Sequence, residues 1–284
     1  MNKETKETIW FDHISSFYDG FARVELDYKW NFVNVDGKFL SNQWFDHVGD
    51  FKEGFAEVKL SGKGWNFINQ DGKIISKQWF DSVGTFYEEG LAPVKLNNKL
   101  NFINTNGEIT SKQWFDDYSI FHNGFARVQL GKKFNFINQD GKLLSNQWFD
   151  YCRHFNNGFA AVELKHKLNF INQDCKLLSD RWFDWVESFH NGFARVQLGK
   201  KFNFINQDGK LISDKWFDYV ENFCEGFAKV WLNKKRNFIK KDGSLLSDQW
   251  FDDSRNFGNN IARVELNGKW TFINTNGKFA FVKD

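Results

Sequence analysis

The chain has 284 residues, 26% of them charged, with 38 Lys and Arg against 36 Asp and Glu and a net charge of +2. Both signs run through the whole chain, and no basic run exceeds Lys234, Lys235 and Arg236, which excludes the basic footprint of a nucleic-acid or anionic-membrane binder. Aromatic residues are 19% of the chain, with 35 Phe and 13 Trp, yet mean hydropathy is −0.58 and no apolar run reaches membrane-spanning length.

Residues 1–9 read as a polar lead-in without the apolar segment of a signal peptide. From Trp10 the triplet Trp-Phe-Asp recurs eight times, beginning at Trp10, Trp44, Trp79, Trp114, Trp148, Trp182, Trp216 and Trp250, at spacings of 34 or 35 residues. A fixed period of this size marks a tandem repeat array, so residues 10–284 are expected to form a single domain of eight units. His122 to Leu143 and His190 to Leu211 are identical, as recent duplication within the array would leave them.

Within one unit the predicted elements are all strands and turns. Phe125-Ala126-Arg127-Val128-Gln129-Leu130 alternates, with Ala, Val and Leu on one face and Arg and Gln on the other. Gly131-Lys132 turns the chain into a second strand, Lys133 to Asn138; the same turn is Asn267-Gly268 in the last unit, a pair that tolerates positive φ at both positions. A second turn at Asp140-Gly141 leads to a short third strand, Lys142 to Ser145, and a fourth strand carries the triplet at Gln147 to Tyr151. No helical period is present. Cys175 replaces the Gly of the second turn in the fifth unit, at a cost on the order of 1 kcal/mol if the left-handed conformation is kept, so that turn is expected to relax. Asn260 replaces the Gly before the first long strand in the last unit, which suits a positive-φ position.

The last unit supplies Ile261 to Leu266, Lys269 to Asn274 and Lys278 to Val282 but has no triplet after it. The strand at Trp10 is therefore available to complete it, and pairing the ends would remove open sheet edges. The predicted fold is all-β: eight tandem four-stranded β-meander repeats of about 34 residues, forming by preference a closed eight-bladed propeller-like ring. The alternative is an open β-solenoid or superhelix with its ends as caps.

The blocks F-x-x-G-F-A-x-V, then K-W-N-F-I-N, then D-G-K-x-x-S resemble the bacterial WG-repeat family, and the resemblance covers residues 10–284. The name-giving Trp is present at Trp30, Trp65 and Trp270 and becomes Leu100, Phe134, Leu168, Phe202 and Arg236 elsewhere; the following Gly is Asn in seven units and Thr271 in the eighth. The resemblance implies an all-β repeat fold and no common activity.

Two functional readings follow. In the first, the chain is a non-enzymatic scaffold that binds another protein. The invariant columns build the array and the variable columns face outward. The partner-binding candidates are then Arg127, Arg195 and Lys229 in the column after Ala, Trp231 two residues beyond it, and Trp185 directly after its triplet. In the second, each triplet supplies a Trp-plus-Asp pocket for a sugar, with Trp44, Asp46, Trp148, Asp150, Trp182 and Asp184 as examples. That would make the protein a multivalent lectin. Against it, the Trp column is expected in the core, and the Asp is expected to accept backbone N–H groups at a strand end. The paired Asn columns, such as Asn135 and Asn138, are expected to satisfy backbone groups. The six histidines show no metal-ligand spacing, and no nucleophile triad or phosphate loop is present, so no catalytic residue, metal or cofactor is expected. Three dispersed cysteines, Cys152, Cys175 and Cys224, form no disulfide framework and point to a cytoplasmic protein.

Overall fold

A computed structural model describes residues 8–280. The chain forms two compact units, Met1–Asn146 and Gln147–Asp284. Across the described residues there are 24 strands in eight three-stranded antiparallel sheets and no helix. The first sheet contains a short strand, His13–Ile14, and two long ones, Phe21–Leu26 and Lys29–Asn34. The same set recurs down to Asp253–Ser254, Ile261–Leu266 and Lys269–Asn274.

The two long strands are the predicted hairpin. Asn267 and Gly268 have φ of 51° and 76°, and the pairs Asn97-Asn98, Lys165-His166 and Asn233-Lys234 adopt the same doubly left-handed turn. Where the pair is Gly-Lys, as at Gly131 (φ 59°) and Gly199 (φ 60°), only the first residue has positive φ, as a type II′ turn requires. A further tight turn joins the short strand to the hairpin, for example at Asp19-Gly20, with φ of 47° and 84°. In the last unit Asn259 and Asn260 occupy it at 53° and 66°, so Asn260 does fill a positive-φ column. Cys175 does not relax: it holds φ of 61° and donates its N–H to the Asn172 carbonyl at 2.9 Å, which closes the turn.

The four-stranded meander is corrected to three strands. The expected third strand is reduced to single bridges such as Ile205↔Leu211, and the part of its last copy beyond Ala280 lies outside the described residues. The expected fourth strand does not run through the triplet. Instead the triplet is where the chain passes from one sheet to the next. Phe217 bridges back to Phe202, while the N–H of Asp218 donates forward to the Trp231 carbonyl at 2.8 Å. Only the two residues after it, Tyr219–Val220, pair as a strand.

Within each compact unit, successive sheets pack face to face. In the sixth sheet Ala194 and Val196 turn towards the fifth, among Ala161, Phe170, Phe183 and Phe189. Phe193 turns the other way and packs into the next layer with Phe204, Phe217, Phe223 and Val230. A Phe ladder holds these layers. Phe223 stacks on Phe193 at 4.5 Å and meets Phe204 at 4.9 Å, and Phe257 repeats both contacts on Phe227 and Phe238 at 4.3 and 4.9 Å. Each fully buried Phe contributes roughly 1.5–3 kcal/mol through removal of its surface from water.

Candidate functional site

The triplet divides its labour by residue. Its Phe is the core residue: Phe45, Phe115, Phe183, Phe217 and Phe251 are all fully buried. Its Trp lies at the margin of the core rather than within it, so the expectation from sequence holds only in part: Trp114, Trp216 and Trp250 pack against the core clusters while staying partly exposed. Trp44, Trp148 and Trp182 are half-buried, and Trp10 is 83% exposed. Its Asp fastens two hairpin turns to each other. Asp46 accepts Lys29 Nζ of the preceding hairpin at 2.6 Å and the Ser61 N–H of the following turn at 2.5 Å. Asp116, Asp184, Asp218 and Asp252 make the same pair of bonds, to Lys99 and Gly131, Lys167 and Gly199, Lys201 and Asn233, and Lys235 and Asn267. Asp150 takes the Lys165 N–H at 2.6 Å. The lysine bond, with the backbone bond second, holds the carboxyls of Asp46, Asp116, Asp184, Asp218 and Asp252 below their ordinary value of 3.8. In Asp46 and Asp184 both carboxylate oxygens are thus engaged, away from the role a sugar pocket would need.

The first Asn column explains the departure at the name-giving dipeptide. Asn31, Asn66, Asn101, Asn135, Asn169, Asn203 and Asn237 are wholly buried. Asn203 Nδ2 donates to the carbonyls of Ser213 and Lys215 at 2.7 and 3.1 Å, and its Oδ1 accepts the Phe204 N–H at 2.7 Å. The Asn holds the segment leading to the next triplet, a task Gly cannot perform. The second column caps the Asp-Gly turn: Asn206 Oδ1 accepts the N–H groups of Asp208 and Lys210 at 3.1 and 2.9 Å.

At Arg23 and Arg195 the column after Ala turns to the following repeat rather than to open solvent. Arg195 Nη1 donates to the Val220 carbonyl of the next repeat at 3.0 Å, as Arg23 does to Val48 at 3.4 Å. Arg195 also grips Glu187 with two bonds at 2.5 and 2.9 Å, which lowers the Glu187 pKa. Arg127, in the other compact unit, lies half-buried with its guanidinium 5.2 Å from the Phe134 ring.

The other four candidates are joined at the edges of these sheets into one row. Trp185 lies 6.4 Å from Phe202, Phe202 5.8 Å from Tyr219, and Tyr219 5.2 Å from Trp231, measured between ring centroids. Arg195 sits 5.7 Å from the Trp185 ring, and Lys229 and Arg236 sit 5.4 and 5.5 Å from that of Trp231. Glu187, Glu221 and Asp253 pair with Arg195, Lys229 and Arg236. Tyr219 is 45% exposed, and Trp185, Phe202 and Trp231 are half-buried. Sequence reasoning missed Phe202, Tyr219 and Arg236. The signal for them was cross-strand register, since a two-residue turn places Tyr219, Trp231 and Arg236 side by side, and likewise Trp185, Gln197 and Phe202.

Among the described residues no three His, Cys, Asp or Glu side chains gather as metal ligands would, and no helix is long and apolar enough to cross a membrane.

No curated protein matches the chain by sequence. Among solved structures, BamB from Moraxella catarrhalis is similar at 8% identity and a TM-score of 0.30, with 93% of this chain and 94% of that one covered. Hsv2 from Kluyveromyces lactis matches at 11% identity and 0.28, covering 78% and 89%. The computationally designed Ika8 protein matches at 10% and 0.28, covering 93% of each chain. These likenesses are too weak to bear on function. The family comparison is specific: the model of the WG containing repeat matches residues 11–30, 32–63, 65–99, 102–134, 136–167, 170–202, 204–235 and 238–270. With eight matched copies covering most of its length, the chain belongs to the WG-repeat family.

Proposed function

We propose that this repeat scaffold is a non-enzymatic, cytoplasmic protein that binds another protein along the row Trp185–Phe202–Tyr219–Trp231. The observation that carries the reading is the row itself: four aromatic rings in series, each within 6.4 Å of the next, flanked by Arg195, Lys229 and Arg236. Trp, Tyr and Arg are the residues that dominate binding energy at protein interfaces, and here their rotamers are already held by neighbours, which reduces the entropic cost of docking. The even charge, without a basic patch, supports a protein partner over nucleic acid or an anionic membrane. Three free cysteines suit a reducing compartment.

The rival lectin reading is weakened by the engaged carboxylates of the triplets. The two are separated by comparing capture from source-cell lysate with glycan binding. Wild-type chain is expected to retain a protein that Trp231→Ala, folded and equally stable, does not. Several equivalent weak glycan sites, each lost with one triplet, would overturn the proposal in favour of the lectin.

A further inference from the structure

Within each compact unit, a repeat that lies between two others receives the preceding repeat on one face and the next on the other. On the first and the last of the eight repeats, residues of the corresponding faces are exposed. Ile14 and Phe17 are 58% and 52% exposed, whereas their counterparts Val220 and Phe223 are 0% and 6%. On the last repeat Ile261 and Trp270 are 37% and 40% exposed, and Arg263 is exposed too.

The two faces match each other contact for contact. Phe223 stacks on Phe193, and Phe17 is the residue offered for the same place on Ile261. Arg195 donates to the Val220 carbonyl, and Arg263 is offered to that of Ile14. Five lysines of the second long strand bond the Asp of the following triplet. Lys269 is the corresponding lysine of the last repeat, and Asp12 is the triplet Asp of the first. Among the described residues the Asp12 carboxylate accepts only the Asp27 N–H, and neither it nor Lys269 has an ion-pair partner.

We propose that the last-repeat face of one molecule docks on the first-repeat face of a second copy, head to tail, with Phe17 on Ile261 and Asp12 on Lys269. Such a contact is heterologous: it joins two different patches, so association continues from copy to copy until a ring closes or it remains open-ended. Continuity with the repeat-to-repeat interface singles out another copy as the occupant, since the Phe, Arg and Lys contacts that join repeats within this chain are the ones these two faces offer.

Sedimentation velocity on the full chain tests this across a concentration series. The mass is expected to rise with concentration above that of the 33.6 kDa monomer. Phe17→Glu and Ile261→Glu, both at exposed positions, should each remain monomeric alone. Mixed, each still contributes one intact face, so the pair should form a one-to-one dimer and grow no further. A wild-type chain that stays monomeric at every concentration, as it would if the two faces met within one molecule, overturns the proposal. So does association that both variants leave unchanged, or a mixture of the two that remains monomeric.

Discussion

Individual residues carry three kinds of work here, and neighbouring residues of similar type divide it. In the triplet, Phe is core and Trp is only half-buried, although both are aromatic and adjacent. The sequence could not separate them, because the alternation of a strand decides sides only where a strand runs, and the triplet is a crossing between sheets. Turn residues were legible because their requirement is local: Asn, Gly and Asp stand where φ must be positive. The buried Asn column was legible as a satisfier of backbone groups, but its partners, ten and twelve residues away, were not. Asn203→Ala is expected to cost roughly 2–3 kcal/mol by stranding the Ser213 and Lys215 carbonyls, to be read from urea unfolding midpoints. Cys175 pays for the left-handed turn that Gly adopts elsewhere, so Cys175→Gly should stabilise by roughly 1 kcal/mol in the same assay.

Sheets are joined to one another by the Phe ladder and the triplet Asp. Phe223→Ala removes a ring that touches two others and should destabilise by roughly 3–5 kcal/mol in chemical denaturation. The triplet carboxyls have depressed pKa values in the folded chain, so the unfolded chain binds their protons more tightly. Their contribution is therefore fully present above the ordinary value of 3.8 and is lost as pH falls below it, through the lowered folded values. Melting temperature recorded between pH 6 and pH 2 should fall across that window, and an Asp218→Asn chain should fall less steeply. The outward reading of the Arg column failed at this scale for a physical reason. Arg and Gln alternating with Ala and Val signal a solvent face in an isolated hairpin, but in a stack that face meets the following repeat, and Arg195 reaches its neighbour's carbonyl instead.

Across the whole molecule, the all-β repeat build and the count of eight were legible, because a period is a long-range signal that needs no knowledge of contacts. The four-stranded unit was not, because short strands of two residues and single bridges leave no periodicity to read. The candidate site was half legible. Trp185 and Trp231 stand out as departures from their columns, while Phe202 and Tyr219, which link them, do so only through register. Stability thus rests with the columns that repeat, and the proposed recognition rests with the columns that change. Binding of the captured partner, measured per folded chain for Trp231→Ala and Asp218→Ala side by side, tests that division most directly. Trp231→Ala should abolish binding with its melting temperature unchanged, while Asp218→Ala should melt earlier and still bind; binding that survives Trp231→Ala and is lost with Asp218→Ala would contradict it.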